Sequence, residues 1–339
     1  MRLSRELRRE LQKTSRILKK AKEDLRKECN ISMGDTMDPA PAGYVETDPE
    51  RHMVFDRWRK KIGKKFTDFE KLVLTILKNA PATSPEEQVK LDESNLWLWG
   101  GPTPSWGGST AKDSLIQGAN YFNIKNGVYV YGSTNKEMIE LHKNFNKLLC
   151  QINKNCRTEE IQNELTEEEN AGLLSLLSTE YPNITGAMCD DMTNNIQADI
   201  LPDEFIPRYN ALKKHNEKLK MYGTVYVHEL GKKDFSIIQP YVDVITLWFW
   251  SMDEIIDYDE NIRKCQKDFP GKKILQGVFI HDYGLSECGA IPELLAYQLD
   301  RARKYIKDGI LEGVVILGDR EIKKWPHTAA AVKKYLEEQ

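Results

Sequence analysis

The sequence predicts a (β/α)8 barrel with a helical extension before it, and three observations predict it. Short apolar runs recur between residues 96 and 317, and near-continuous apolar runs are what parallel strands buried on both faces require. Helix-like segments separate these runs. Carboxylates and aromatics gather just past their ends, the edge at which such a barrel assembles its working face.

The chain opens on a basic helix. Residues 1–31 hold eleven Lys/Arg against five Asp/Glu, and Leu11, Thr14, Leu18, Ala21 and Leu25 recur at alternating spacings of three and four. That spacing lays an apolar stripe along one helix face and leaves the rest solvated. The stripe suits packing on the barrel or on its twin in a homodimer; the basic face suits an acidic partner or a membrane surface. Gly34 to Tyr44 is too rich in Gly, Pro and Asp to continue a helix. A second helical stretch spans roughly 49–79, with Phe55, Trp58, Phe66, Phe69, Leu72, Leu74 and Ile76 as its apolar content. Ala80 to Pro85 forms the exit, so the extension is placed at residues 1–90 and the barrel at 91–339.

Candidate strands are Leu96–Trp99, Val128–Tyr131, Lys147–Ile152, Ile184–Cys189, Met221–Val227, Val242–Phe249, Lys273–Ile280 and Gly313–Leu317. Thr158–Leu177, opening on Thr158-Glu159-Glu160, and Pro292–Asp308 are the clearest helices between them. Eight such strands fit one barrel better than an open doubly wound sheet. Gly100 to Gly108 is too flexible for a strand and reads as the first βα-loop, with Trp106 as a lid or merely solvent-facing.

Composition narrows the function classes. A chain of 339 residues, 40% hydrophobic, buries a proper core, and a net charge of -3 provides no global field for nucleic acid. No run of 18 apolar residues and no signal-like segment occurs, so neither membrane spanning nor standard secretion is expected. Cys29, Cys150, Cys156, Cys189, Cys265 and Cys288 lack C-x-x-C spacing, which fits reduced thiols and a cytoplasmic location and argues against a zinc site.

The strand ends carry the chemistry. Asp190 and Asp191 follow the fourth strand, Glu229 the fifth, Asp253 the sixth and Asp282 the seventh. Trp97 and Trp99, Tyr129 and Tyr131, Tyr226, Trp248 and Trp250, and Tyr283 share those strands or their ends. Glycosidic cleavage needs one protonated carboxyl and one ionised one. Aromatic faces suit the C–H faces of a sugar ring, and carboxylates, His and Trp N–H suit its hydroxyls. Successive strand side chains alternate, so Asp190 and Asp191 are expected to face opposite ways, one toward substrate and the other toward a neighbour it orients. His228 and His281 fit hydrogen-bonded support best, with contacts to sugar hydroxyls or metal ligation as the sharper alternatives. Glu254 reads as a helix-start acid, as does Asp253, and Arg320 as the partner of Asp319.

Gly186-Ala187-Met188-Cys189-Asp190-Asp191-Met192, Tyr226-Val227-His228-Glu229-Leu230, Asp243 to Trp250, and Phe279-Ile280-His281-Asp282-Tyr283-Gly284 together resemble a largely uncharacterised group of bacterial proteins with glycoside-hydrolase-like TIM barrels. The resemblance spans roughly residues 95–335, with Met192 standing where the group has an aromatic, and it implies a barrel and a sugar substrate.

The expectation is therefore a glycoside hydrolase or related carbohydrate-active enzyme without cofactor, acting on a small carbohydrate. Asp190 or Asp191 is its general acid, and Asp282, or else Glu229, its second carboxylate. Trp99, Tyr131, Tyr226, His228, Trp248, Trp250, His281 and Tyr283 are its substrate contacts. A metal-assisted sugar isomerase or lyase using His228, Glu229, His281 and Asp282 is one alternative; a non-catalytic sugar-binding barrel is another. The extension is expected to be structural, with Asp35, Asp38 or His52 as its candidate ligand groups.

Overall fold

The computed structural model describes residues 4–29, 57, 59–80, 84–103, 109–154, 164–193, 201–285, 289–318 and 321–339. Eight parallel strands close into a barrel in sequence order: β1 Leu96–Gly100, β2 Asn126–Tyr129, β3 Lys147–Gln151, β4 Ile184–Cys189, β5 Lys220–Tyr226, β6 Val244–Trp248, β7 Lys273–Phe279 and β8 Leu311–Leu317. β8 pairs with β1, so no edge is left open. Around them run α3 Ser114–Phe122, α4 Lys136–Leu141, α5 Glu167–Leu177, α6 Leu201–Lys213, α7 Met252–Ile256, α8 Tyr258–Asp268, α9 Pro292–Lys307, α10 Glu321–Lys324 and α11 Pro326–Glu338. Each expected strand is present. β2 is displaced by two residues, starting at Asn126 because the Asn126 amide donates to the carbonyls of Glu93 and Leu96 at 2.8 Å each, while β5 lies one residue earlier than expected and β8 starts two residues earlier.

Alternation along the strands produces two cores. Trp97, Trp99, Val128, Val130, Leu149, Met188, Tyr222, Val244, Trp248, Leu275, Phe279, Val315 and Leu317 fill the barrel interior, while the opposite faces pack under the helices. Gly277 makes the interior possible: a Cβ there would lie 2.1 Å from the Trp248 ring. The end where the strands start is closed by the Tyr222 hydroxyl bonded to Glu312, by Lys220 paired with Glu312 at 2.6 Å, and by Lys147 over the Trp97 ring.

Thr166 starts α5 through a capping box with Glu169. The helix therefore begins at Glu167, and the Thr158-Glu159-Glu160 start lies outside the described residues.

In the extension, α1 spans Arg5–Cys29 and α2 spans Lys64–Lys78. Leu11, Ser15, Leu18, Ala21 and Leu25 are buried, with Ser15 in the place expected for Thr14; Thr14 instead bonds back to the Glu10 carbonyl at 2.9 Å. The stripe packs against α2, whose Phe69, Leu72, Val73 and Ile76 are buried, and α2 packs against α9. Of the packings that the stripe suits, the structure shows one within the chain, against α2. Asp35, Asp38, His52, Phe55, Trp58, Trp106, Asp319 and Arg320 lie outside the described residues. No helix among the described residues is long and apolar enough to cross a membrane.

Candidate active site at the C-terminal mouth

The end of β4 is built around a carboxyl pair. Asp190 continues the inward parity of Met188, and its Oδ1 accepts from the Asp191 N–H at 3.0 Å and the Thr224 hydroxyl at 3.3 Å. Asn153 fixes the Asp190 backbone from both sides, donating to its carbonyl at 2.5 Å and accepting from its N–H at 3.0 Å. Gln151 donates to Asn153 at 3.2 Å and accepts the Tyr131 N–H at 2.7 Å, so a ladder of side-chain amides ties the ends of β2, β3 and β4 together. Sequence reasoning missed Gln151, Asn153 and Thr224. Their inward parity on β3 and β5 was the available signal.

The expected opposition of Asp190 and Asp191 does not hold. Alternation requires extended backbone, and Asp191 has φ of +48°, in the left-handed region. The turn carries its carboxylate back over the mouth, where Oδ1 accepts from the inward Tyr226 hydroxyl at 2.6 Å. Burial pushes the Asp190 carboxyl well above its ordinary range, and the Asp191 charge adds to the rise. The Tyr226 phenol is likewise pushed well up, first by burial and then by the two aspartates.

Aromatics wall this pair. The Tyr226 ring stacks with His228 at 5.5 Å and meets the edge of Trp250 at 5.3 Å. Trp250 stacks on Tyr283 at 4.5 Å with planes 14° apart. Tyr131, turned inward by φ of +71°, accepts from Trp99 Nε1 at 2.8 Å. Trp248 is 2% exposed and lies one layer deeper, stacked with Phe279 at 4.5 Å and edge-on to Trp99 at 5.3 Å. Two aromatics expected on this rim are elsewhere: Tyr129 faces outward against His142, and Trp97 stands at the strand-start end because it opens β1.

Glu229 and Asp282 are committed to backbone and local partners. Glu229 accepts from Thr193 Oγ1 at 2.8 and 2.7 Å, from Lys233 at 2.6 Å and from the Tyr226 N–H at 3.0 Å, which fastens the turn after β5. Asp282 accepts from the N–H groups of Met252 at 2.9 Å and Leu285 at 2.8 Å, joining the loops after β6 and β7. His281 is clamped between Trp325 at 4.3 Å and Tyr283 at 3.9 Å. Trp325, which follows β8, is a further residue the sequence reading passed over. Among the described residues no three His, Cys, Asp or Glu side chains form a metal-holding group.

Glu254 begins α7 as expected, its Oε2 accepting from the Ser251 N–H at 3.2 Å. Its Oε1 stands 3.9 Å from His228 Nδ1 at the edge of the mouth. Burial pushes the Glu254 carboxyl up to about 7, assisted by Asp253 and opposed by the Ser251 and Trp250 N–H groups and by Lys19. His228 is lowered, chiefly by burial. A carboxyl raised in this way stays protonated in the folded chain at a pH where the unfolded chain has released the proton. Stability is then fully present below about 4.3 and falls as pH rises toward about 7. Glu254→Gln, which keeps the acceptor for Ser251, removes that part of the fall, so its urea midpoint changes less than the wild type's between pH 4.5 and pH 7.5. An identical fall in both proteins would contradict the burial argument.

No family model and no curated protein matches the sequence. Among solved structures the chain is similar to a b-glucuronidase from Ruminococcus gnavus in complex with D-glucuronic acid, with a TM-score of 0.50 and 8% identity over 73% of this chain and 49% of that one. It is also similar to active domain 2 of a thermostable chitinase from Pyrococcus furiosus complexed with chito-oligosaccharides (TM-score 0.47, 14% identity, 68% of this chain and 85% of that one). A third is a GH2 beta-galacturonidase from Eisenbergiella tayi (TM-score 0.47, 12% identity, 74% and 51%). The chain spans about half the length of the glucuronidase and galacturonidase structures. Identities this low show the fold alone, a (β/α)8 barrel.

Proposed function

We propose that the chain is a carbohydrate-active enzyme, a glycoside hydrolase in which Asp190 and Asp191 act as one proton-exchanging unit. The observation that carries this reading is the pair itself: one carboxyl raised well above its ordinary range by burial, the other turned over the mouth by a left-handed residue and held by a phenol, with an aromatic wall beside it. Burial raises the Asp190 carboxyl and the neighbouring Asp191 adds to the rise, so the pair holds a proton to higher pH than a free carboxylate does. The proton held on Asp190 passes to Asp191 and from Asp191 to the leaving glycosidic oxygen as the anomeric C–O bond breaks. Water then adds its oxygen to the anomeric carbon and returns its proton to the pair. Trp250 and Tyr283 offer faces to the sugar ring, and His228 and Tyr131 lie within the same rim to meet its hydroxyls.

This reading moves the second carboxyl from Asp282 or Glu229 to the β4 pair. The oxygens of Asp282 and Glu229 already satisfy backbone amides, Thr193 and Lys233, and withdrawing them would leave buried donors unpaired. The same commitments disfavour the metal-assisted alternative, which needs both groups as ligands.

The test is release of reducing sugar from a panel of small glycosides, with and without a chelator. Turnover survives chelation if carboxyls carry the proton transfer. Abolition by chelator and restoration by a divalent ion would overturn the two-carboxyl mechanism, because a Lewis acid would then be supplying the charge stabilisation.

A further inference from the structure

The helical extension reaches the rim. Arg8 forms a two-pronged pair with Asp257 at 2.8 Å on each arm, and Lys19 stands 3.8 Å from Asp253. Lys22 is 9% exposed and its ammonium donates to the Tyr283 carbonyl and, at 3.5 Å, to the Gly284 carbonyl. From Arg8 to Lys22 is about 21 Å along a helix at about 1.5 Å per residue, so α1 runs past the loops after both β6 and β7. Those loops hold the stacked Trp250 and Tyr283.

We infer that Lys22 is a positioning residue for substrate binding: it fixes the Tyr283–Gly284 turn and so sets the face that Tyr283 and Trp250 present. The inference rests on the reading of that face as the sugar platform. The turn has other fastenings. The Gly284 N–H donates to the Trp250 carbonyl at 3.0 Å, Asp282 holds the Leu285 N–H, and Gly284 sits so close to Ser251 that an added Cβ would lie 2.1 Å from the Ser251 Cβ. Those contacts engage the N–H groups of the turn and the Cα of Gly284. Lys22 holds its carbonyls, and the Tyr283 carbonyl fixes the plane of the 283–284 peptide and with it the Tyr283 side chain. An ammonium bonded to two partly buried carbonyls is a charge-assisted contact that a neutral side chain does not replace.

The bland account is that Lys22 merely docks α1, and the experiment separates the two. In the full-length protein, Lys22→Met preserves length and apolar stem while removing the donors, and Lys22→Arg restores them. Near-ultraviolet circular dichroism reads the packed Trp250–Tyr283 pair, hydrogen exchange reads the Leu285 amide, and glycoside kinetics reads KM against kcat. Positioning predicts for Lys22→Met an altered aromatic signal, faster exchange at Leu285 and a KM raised about tenfold with kcat within about threefold, all largely recovered in Lys22→Arg. Arg8→Ala, which loosens the far end of the same helix, lowers the melting temperature and leaves the aromatic signal and KM unchanged.

A Lys22→Met protein that loses melting temperature alone, with wild-type aromatic signal, exchange and KM, overturns the inference. If Lys22→Met does not fold, Lys22→Gln takes its place, with the same outcomes deciding. The aromatic signal and exchange need no substrate. If no glycoside is turned over at all, a shifted signal in Lys22→Met still supports positioning while the hydrolase reading fails, and an unshifted one overturns positioning on its own.

Discussion

Asp191→Asn lowers glycoside turnover by about 10²–10⁴-fold, the range that a positioned acid–base group contributes, while sugar binding persists. The amide fills the same volume and can still accept from the Tyr226 hydroxyl, now 2.6 Å from Asp191 Oδ1, so the aromatic wall keeps its shape. What it loses is the exchangeable proton. Asp190→Asn produces a comparable loss by a different route, because the buried partner that retains the shared proton is gone. It should also be more stable than the wild type near neutral pH. Asp190 lies well above the ordinary carboxylate range when folded, so the wild type loses stability as pH rises past about 3.9, and a neutral amide does not. Turnover in either variant within a few-fold of wild type would remove the pair from the mechanism.

Trp248→Ala and Trp250→Ala separate into a folding effect and a binding effect, although the two tryptophans are only two residues apart, Trp248 ending β6 and Trp250 in the loop after it. Trp248 is 2% exposed, stacked on Phe279 and seated against Gly277. Removing it costs about 3–5 kcal/mol of stability, the sum of lost burial and the cavity left behind. Trp250 is only partly buried, and its truncation forfeits the Tyr283 stack, about 0.5–1.5 kcal/mol, together with most of the sugar platform. Chemical denaturation ranks the two losses and titration with a bound glycoside ranks the affinities. Equal destabilisation by both would contradict the layering, and unchanged affinity in Trp250→Ala would contradict its role as platform.

The fold was readable because buried parallel strands need apolar side chains on both faces, and eight such runs stand out against polar surroundings. β2 was placed late, since Asn126 and Gly127 are poor strand formers held by neighbours that the local pattern does not reveal. At the site, the acids were visible but their duties were only partly so. The commitment of Glu229 was written in its spacing, three residues after Tyr226 and four before Lys233. That of Asp282 was not, because Met252 is thirty residues away and meets it only when the loops after β6 and β7 close. Nor does any residue pattern announce a left-handed aspartate. The φ of Asp191 reverses the facing that alternation implies and brings both carboxyls to one mouth. Glu254 looked like a capping acid and is one, but its raised proton affinity comes from burial beside Trp250 and His228, a tertiary property.

The central claim is that this mouth binds a sugar, and thermal shift with a panel of small glycosides tests it most directly, since a ligand that binds only the folded chain raises its melting temperature. The account predicts at least one glycoside that raises the melting temperature of the wild type and of Asp191→Asn alike and has no effect on Trp250→Ala. Absence of any shift in the wild type at concentrations far above the millimolar range, or a shift that Trp250→Ala retains in full, would contradict it.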